Sequence, residues 1–164
     1  MAPRHLNPQR FRTIPVSTPL VFKFGGASVK DAQSVRNVVA IIERYPDRPM
    51  VVVVSAMGKM TNAFESIVSC WAQGDLPGAT KALQGIQDFH QGIIKELFEQ
   101  IPTDLQVDLS QWYEDLGQLV QPSDRSYGEQ YDNIVHHGEL ISTRIVQAFV
   151  NTRIPALWLD TRTL

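Results

Sequence analysis

Five consecutive apolar residues, Met50-Val51-Val52-Val53-Val54, constrain this chain more than any other segment. Four are valines, whose branched side chains lose rotamer freedom in a helix and pack well on a pleated surface, so the run reads as a strand. Lacking polar alternation, it predicts a strand covered on both faces, as in a parallel sheet flanked by helices. A second such segment, Leu20-Val21-Phe22-Lys23-Phe24, lies upstream and is stopped by Gly25-Gly26. Each segment leads through a turn of small residues into a helical pattern. Val35, Val38, Val39 and Ile42 follow the first, and Phe64, Ile67, Val68 and Trp71 the second. Strand, turn, helix, repeated, is the order of an α/β domain with a parallel sheet.

The remaining elements follow from the same periodicities. Ser28 with Asp31, and Asn62 with Glu65, resemble helix-capping pairs. Tyr45-Pro46 closes the first helix. Pro77 suits a first helical turn, and Leu83, Ile86, Ile93, Ile94 and Leu97 continue it, with Gly85 and Gly92 as weak points. Leu105 to Val120 predicts another helix, ended by Gln121-Pro122-Ser123, and one long helix is expected from about Tyr127 to Val150. Ala156-Leu157-Trp158-Leu159-Asp160 reads as a third strand. Three strands among this many helices make a narrow sheet. The expectation is therefore part of a larger α/β domain, continued beyond Leu164.

Composition narrows the function. Lys and Arg number 15 and Asp and Glu 17, a formal charge of −2, which gives no electrostatic case for nucleic acid. No apolar run is long enough to span a membrane. A lone Cys70 excludes an intrachain disulfide and a multi-cysteine zinc site; between Val68 and Trp71 it reads as a buried structural thiol. His5, His90, His136 and His137 show no metal-ligand spacing, and the paired histidines read as ordinary helix residues. Residues 1–19 differ from the rest: Arg4, Arg10 and Arg12, no acid, and four prolines. Those prolines oppose the amphipathic helix of an organellar presequence, and no apolar core of a secretory signal is present. Residues 1–19 are read as a flexible leader, residues 20–164 as the domain, and the location as cytoplasmic.

Three segments could carry chemistry. Lys23-Phe24-Gly25-Gly26 puts a cation and two glycines at the end of a strand and before a helix, where ligands of open α/β sheets bind and where backbone N–H groups can approach phosphate. A tight turn with an exposed lysine is the alternative. Ser55-Ala56-Met57-Gly58-Lys59-Met60-Thr61 follows the second strand in the same way. It is not a P-loop, since Met60 follows the Lys and Val53 stands where that motif needs Gly. No G-x-G-x-x-G is present. His136-His137-Gly138-Glu139 sets a glycine and a carboxylate inside a helix. That suggests close approach by a ligand or by another backbone; simple helix packing with Glu139 on a solvated face is the alternative.

Lys23-Phe24-Gly25-Gly26-Ala27-Ser28-Val29, Val53 through Asn62, and Gly138-Glu139-Leu140-Ile141-Ser142 together resemble aspartate kinase, in that family's order and at about its spacing. Asp160-Thr161-Arg162 resembles its strand-end Asp-x-Arg. Ala27 departs from the Thr common there. The resemblance implies the N-terminal lobe of an amino-acid kinase domain, a three-layer αβα sandwich of carbamate kinase-like type. It implies transfer of the ATP γ-phosphoryl group, with Mg²⁺, to the β-carboxylate of L-aspartate, the opening step of lysine, threonine and methionine synthesis. Lys23 would be the catalytic cation and would bind the nucleotide phosphates with Gly25 and Gly26. Ser55 and Thr61 would bind substrate, Glu139 would hold its ammonium, and no residue would be a metal ligand. A homo-oligomer is implied for the full-length protein. The family's later glycine-rich loop, nucleotide half and regulatory domains are not among these residues, so the 164 residues alone are expected to be inactive. Another amino-acid kinase, acting on glutamate or acetylglutamate, and a non-catalytic binding or assembly fragment are the competing readings.

Overall fold

The computed structural model describes residues 18–163. The leader expected over residues 1–19 lies almost wholly outside them. Strands β1 (Leu20–Phe24) and β2 (Met50–Val54) pair in parallel, with Lys23 opposite Val53 and Phe24 opposite Val54. Helix α1 (Ala32–Ile42) is the crossover between them, as a parallel pair requires. Then come α2 (Met60–Ala72), α3 (Leu76–Leu97), α4 (Thr103–Leu119), α5 (Tyr127–Val135) and α6 (His137–Asn151). The α/β class and parallel pairing agree with the reading of the sequence.

The core lies between the sheet and the helices. Phe24 and Val54 join Val35, Val38 and Ile42 of α1, Phe64 and Ile67 of α2, and Ile141 and Ile145 of α6 in one buried cluster. Helix α2 packs on α3 and α5, and α6 lies against β2. Arg144 of α6 is 5% exposed. It is held by Asp104 at 2.7 Å and Asp108 at 2.6 Å, which ties α6 to α4.

Several expectations are corrected. The sheet is covered on one face only: Val21, Val51 and Val53 are 70%, 53% and 47% exposed. An all-apolar run therefore does not here report two covered faces. Residues 156–160 form no strand; the described residues make a two-stranded sheet. Their exposure still alternates, with Leu157 99% and Leu159 63% exposed. The backbone of Ala156, however, is taken by side chains, its N–H donating to Asn151 Oδ1 and its carbonyl accepting from Gln147 Nε2. Alternation sets faces, whereas a ladder needs a partner.

Helix starts also shift. Asp31 alone caps α1, accepting from the Ser34 N–H at 2.7 Å, while Ser28 belongs to a short 3₁₀ turn, Gly26–Val29. Helix α2 begins at Met60 without a side-chain cap, so Asn62 and Glu65 lie inside it. The long helix expected from Tyr127 is two helices, broken at His136. A genuine capping box, Ser126 with Glu129, starts α5.

The open sheet face is testable. Val51→Lys should leave the unfolding free energy within about 0.5 kcal/mol of the parent. Val52→Lys, on the covered face, should cost about 2 kcal/mol or more, because it buries a charge without a partner. Urea denaturation of both variants measures the difference.

Candidate active site

Because β1 and β2 run parallel and in register, their carboxyl ends open on the same edge of the sheet. The loops that follow are stitched to each other. The Ser55 N–H donates to the Phe24 carbonyl at 3.0 Å, and the Gly58 N–H to the Gly26 carbonyl at 3.0 Å. Lys23 and Ser55 thus lie at one edge, as one crevice requires. Lys23 projects from the uncovered face, is exposed, and makes no ion pair among the described residues.

The two glycines differ. A Cβ on Gly26 would lie 2.7 Å from the Ala56 carbonyl oxygen and 2.8 Å from that of Gly58, so Gly26 is demanded by the contact between the loops. Around Gly25 nothing lies within 4 Å of a Cβ, and its φ of −75° suits any residue. The fold therefore does not explain Gly25. Gly26→Ala should cost about 1–3 kcal/mol, since two backbone carbonyls must move. Gly25→Ala should stay within about 0.5 kcal/mol of the parent. Thermal unfolding distinguishes them.

Helix α6 closes the crevice from a third side. Gly138 allows it to reach the second loop: a Cβ there would lie 3.1 Å from Ala56 Cβ and 3.4 Å from Phe64 Cδ2. Two hydrogen bonds then form. The Ala56 N–H donates to Glu139 Oε1 at 3.3 Å, and Ser142 Oγ–H donates to the Ser55 carbonyl at 2.7 Å. Glu139 is exposed, yet one of its oxygens is fixed on the loop. Gly138 lies in the first turn of α6 and meets the Ala56 and Phe64 side chains, so the helix-packing reading is the observed one. Ser142, fully buried, was not singled out from the sequence. Its signal was its place three residues, nearly one helical turn, after Glu139.

Thr61 is half-buried in the first turn of α2. That helix has no side-chain cap, and its first N–H, of Met60, donates to the Met57 carbonyl at 2.9 Å. The crevice thus combines a free cation, an uncapped helix start, exposed loop backbone and a carboxylate. That set can hold a phosphate on one side and an ammonium on the other.

Asp160 follows a segment that forms no strand. It binds Arg162 at 2.6 Å, and Arg162 Nη1 lies 3.2 Å from His136 Nε2. His137, expected to be an ordinary helix residue, is buried, with Nδ1 unpartnered; burial holds its pKa down, at about 4. Cys70 is partly rather than fully buried.

The sequence matches the amino acid kinase family over residues 18–164. The chain belongs to the amino acid kinase family. Among amino acid kinases it is 36% identical to aspartokinase 1, chloroplastic, of Arabidopsis thaliana, over 80% of this chain and 23% of that protein. It is 31% identical to an aspartokinase of Chlamydia trachomatis, over 84% of this chain and 29% of the relative. Among solved structures it resembles Escherichia coli aspartokinase III in complex with lysine and aspartate. The TM-score is 0.69 at 24% identity, covering 82% of this chain and 29% of that one. The chain thus spans about a quarter of the length of these relatives. The structural likeness establishes the amino acid kinase fold. Among the described residues no helix is long and apolar enough to cross a membrane.

Proposed function

We propose that this chain carries part of the active site of an aspartate kinase. In this reading a β-carboxylate oxygen of L-aspartate attacks the γ-phosphorus of ATP. A new P–O bond forms as the bond to the β-phosphate oxygen breaks, giving aspartyl phosphate and ADP. Such a transfer demands positioning and charge neutralisation more than covalent help from the protein.

The observation that carries the reading is the meeting of three segments at one sheet edge: the Lys23–Gly26 loop, the Ser55–Thr61 loop, and Glu139 fixed on Ala56. Lys23 neutralises charge on the transferring group. Gly25 offers its N–H to a phosphate oxygen, and Gly26 keeps that loop against its neighbour. Ser55 and Thr61 bind the acceptor, and Glu139 accepts the aspartate ammonium with the oxygen not bound to Ala56. A cytoplasmic location remains part of this reading.

Magnesium belongs here to the nucleotide. Among the described residues no group of three or more His, Cys, Asp or Glu converges as a resident metal site, so no step is assigned to a protein-bound ion.

In the intact natural protein, Glu139→Gln should raise the KM for aspartate by about 10-fold to 100-fold, the worth of one charged hydrogen bond. The KM for ATP should stay within about twofold. Steady-state kinetics with each substrate varied in turn measures both. An unchanged KM for aspartate removes Glu139 from the substrate site. Gly25→Ala should lower activity while leaving stability intact, which a purely structural turn would not do.

A further inference from the structure

The two histidines at the α5–α6 break belong to a second cleft, separate from the strand-end crevice and containing none of its proposed residues. It measures about 390 Å³, within the range of small-molecule sites. Five stretches of chain converge on it: α4 with Trp112, Asp115 and Leu119, the α4–α5 connection with Arg125, α5, the start of α6 with His137, and the segment of Arg162.

The charges are arranged unusually. Arg162 is neutralised in place by Asp160, and its remaining Nη1 meets His136. Among the described residues Arg125 has no carboxylate within ion-pair distance, although the nearby Glu129 carboxyl feels its charge; its guanidinium reaches Ser123 Oγ at 3.4 Å and Gln130 Oε1 at 3.5 Å. Among the described residues Asp115 has no cationic partner and accepts only from the Gln111 amide at 3.0 Å. One acid and one base therefore line the same cleft without meeting each other. Beneath them His137 is 4% exposed with Nδ1 unsatisfied, a buried polar atom that a ligand or a water can serve. Trp112, fixed against Trp158 at 5.6 Å between ring centroids, and Leu119 supply an apolar wall.

We propose that this cleft binds an α-amino acid zwitterion with an apolar side chain. Arg125 takes the carboxylate, Asp115 takes the ammonium, and the side chain lies along Trp112 and Leu119. Separated opposite charges suit one ligand that carries both, and a simple anion would satisfy only half of the site.

Calorimetric titration of residues 1–164 tests this with three probes: L-leucine, 4-methylpentanoate, which lacks the ammonium, and 3-methylbutylamine, which lacks the carboxylate. Leucine should bind, with each half-ligand at least about tenfold weaker. Arg125→Gln and Asp115→Asn, both at partly or fully exposed positions, should each weaken leucine about tenfold while the circular dichroism spectrum is unchanged. Glu139→Gln should not alter leucine binding. The proposal is overturned if leucine gives no heat, or if 4-methylpentanoate binds as tightly as leucine, which marks a plain anion site. It is equally overturned if Glu139→Gln abolishes leucine binding, because the ligand then sits in the strand-end crevice.

Discussion

Replacing Lys23 by Met in the intact natural protein should lower kcat by about 10²–10³, with the KM for aspartate changed by less than about threefold. Methionine keeps the side chain's approximate length and removes its charge. Lys23 stands on the uncovered face of β1 without an acidic partner among the described residues, so no ion pair seen there is lost with it. A charge aimed at the transferring phosphoryl is worth about 3–4 kcal/mol in the transition state, which is the expected loss. Single-turnover phosphoryl transfer measured beside urea denaturation separates the effects: the rate should fall and the stability should not. A kcat near that of the parent makes Lys23 an ordinary surface lysine at a turn.

Acid should destabilise the fold steeply, and two buried histidines should account for much of it. His90 of α3 is inaccessible, has Tyr113 OH 3.1 Å from its Nδ1 and the Phe89 ring edge-on beside it, and leaves Nε2 without a partner among the described residues. Burial holds its pKa down at about 4, and burial together with neighbouring His136 does the same for His137. The unfolded chain takes up protons below its ordinary histidine pKa of about 6.5, whereas the folded chain refuses them until about 4. Between those values the unfolded state binds more protons, so stability rises with pH. It is lost progressively as pH falls through the window and is fully lost below the folded value. A difference of about 2.5 units corresponds to about 3 kcal/mol per histidine. Urea unfolding of residues 1–164 at several pH values between 4 and 7 should show this slope. His90→Gln should remove about half of it while leaving the other half intact.

The strands and the site loops were legible in the sequence for different reasons. Met50–Val54 and Leu20–Phe24 are β-branched or aromatic runs bounded by turn residues, a local signal that survives any environment. The crevice followed because parallel strands must present their carboxyl ends together, and Lys23, Gly25, Gly26 and Ser55 sit at those ends. What failed depended on contacts distant in the chain. Whether Val51 and Val53 are covered is decided by what lies over them, which their own pattern does not contain. Residues 156–160 keep a strand's alternation, but side chains of α6 claim the Ala156 backbone. The break at His136 is likewise invisible in the apolar spacing, which runs through it. Gly138 was visible as an anomaly, since a helix interior penalises glycine by about 1 kcal/mol. Its reason, a Cβ contact with Ala56, needed the fold.

In the proposed reaction the crevice at the ends of β1 and β2 transfers a phosphoryl group to aspartate. The most direct measurement incubates the intact natural protein with MgATP and, separately, L-aspartate, L-glutamate and N-acetyl-L-glutamate, trapping any acyl phosphate with hydroxylamine. The expected result is a hydroxamate with aspartate, equimolar with the ADP released, little or none with the other two acceptors, and its loss in Lys23→Met. Equal or greater product from glutamate or N-acetylglutamate, or no acyl phosphate from any acceptor, contradicts the account.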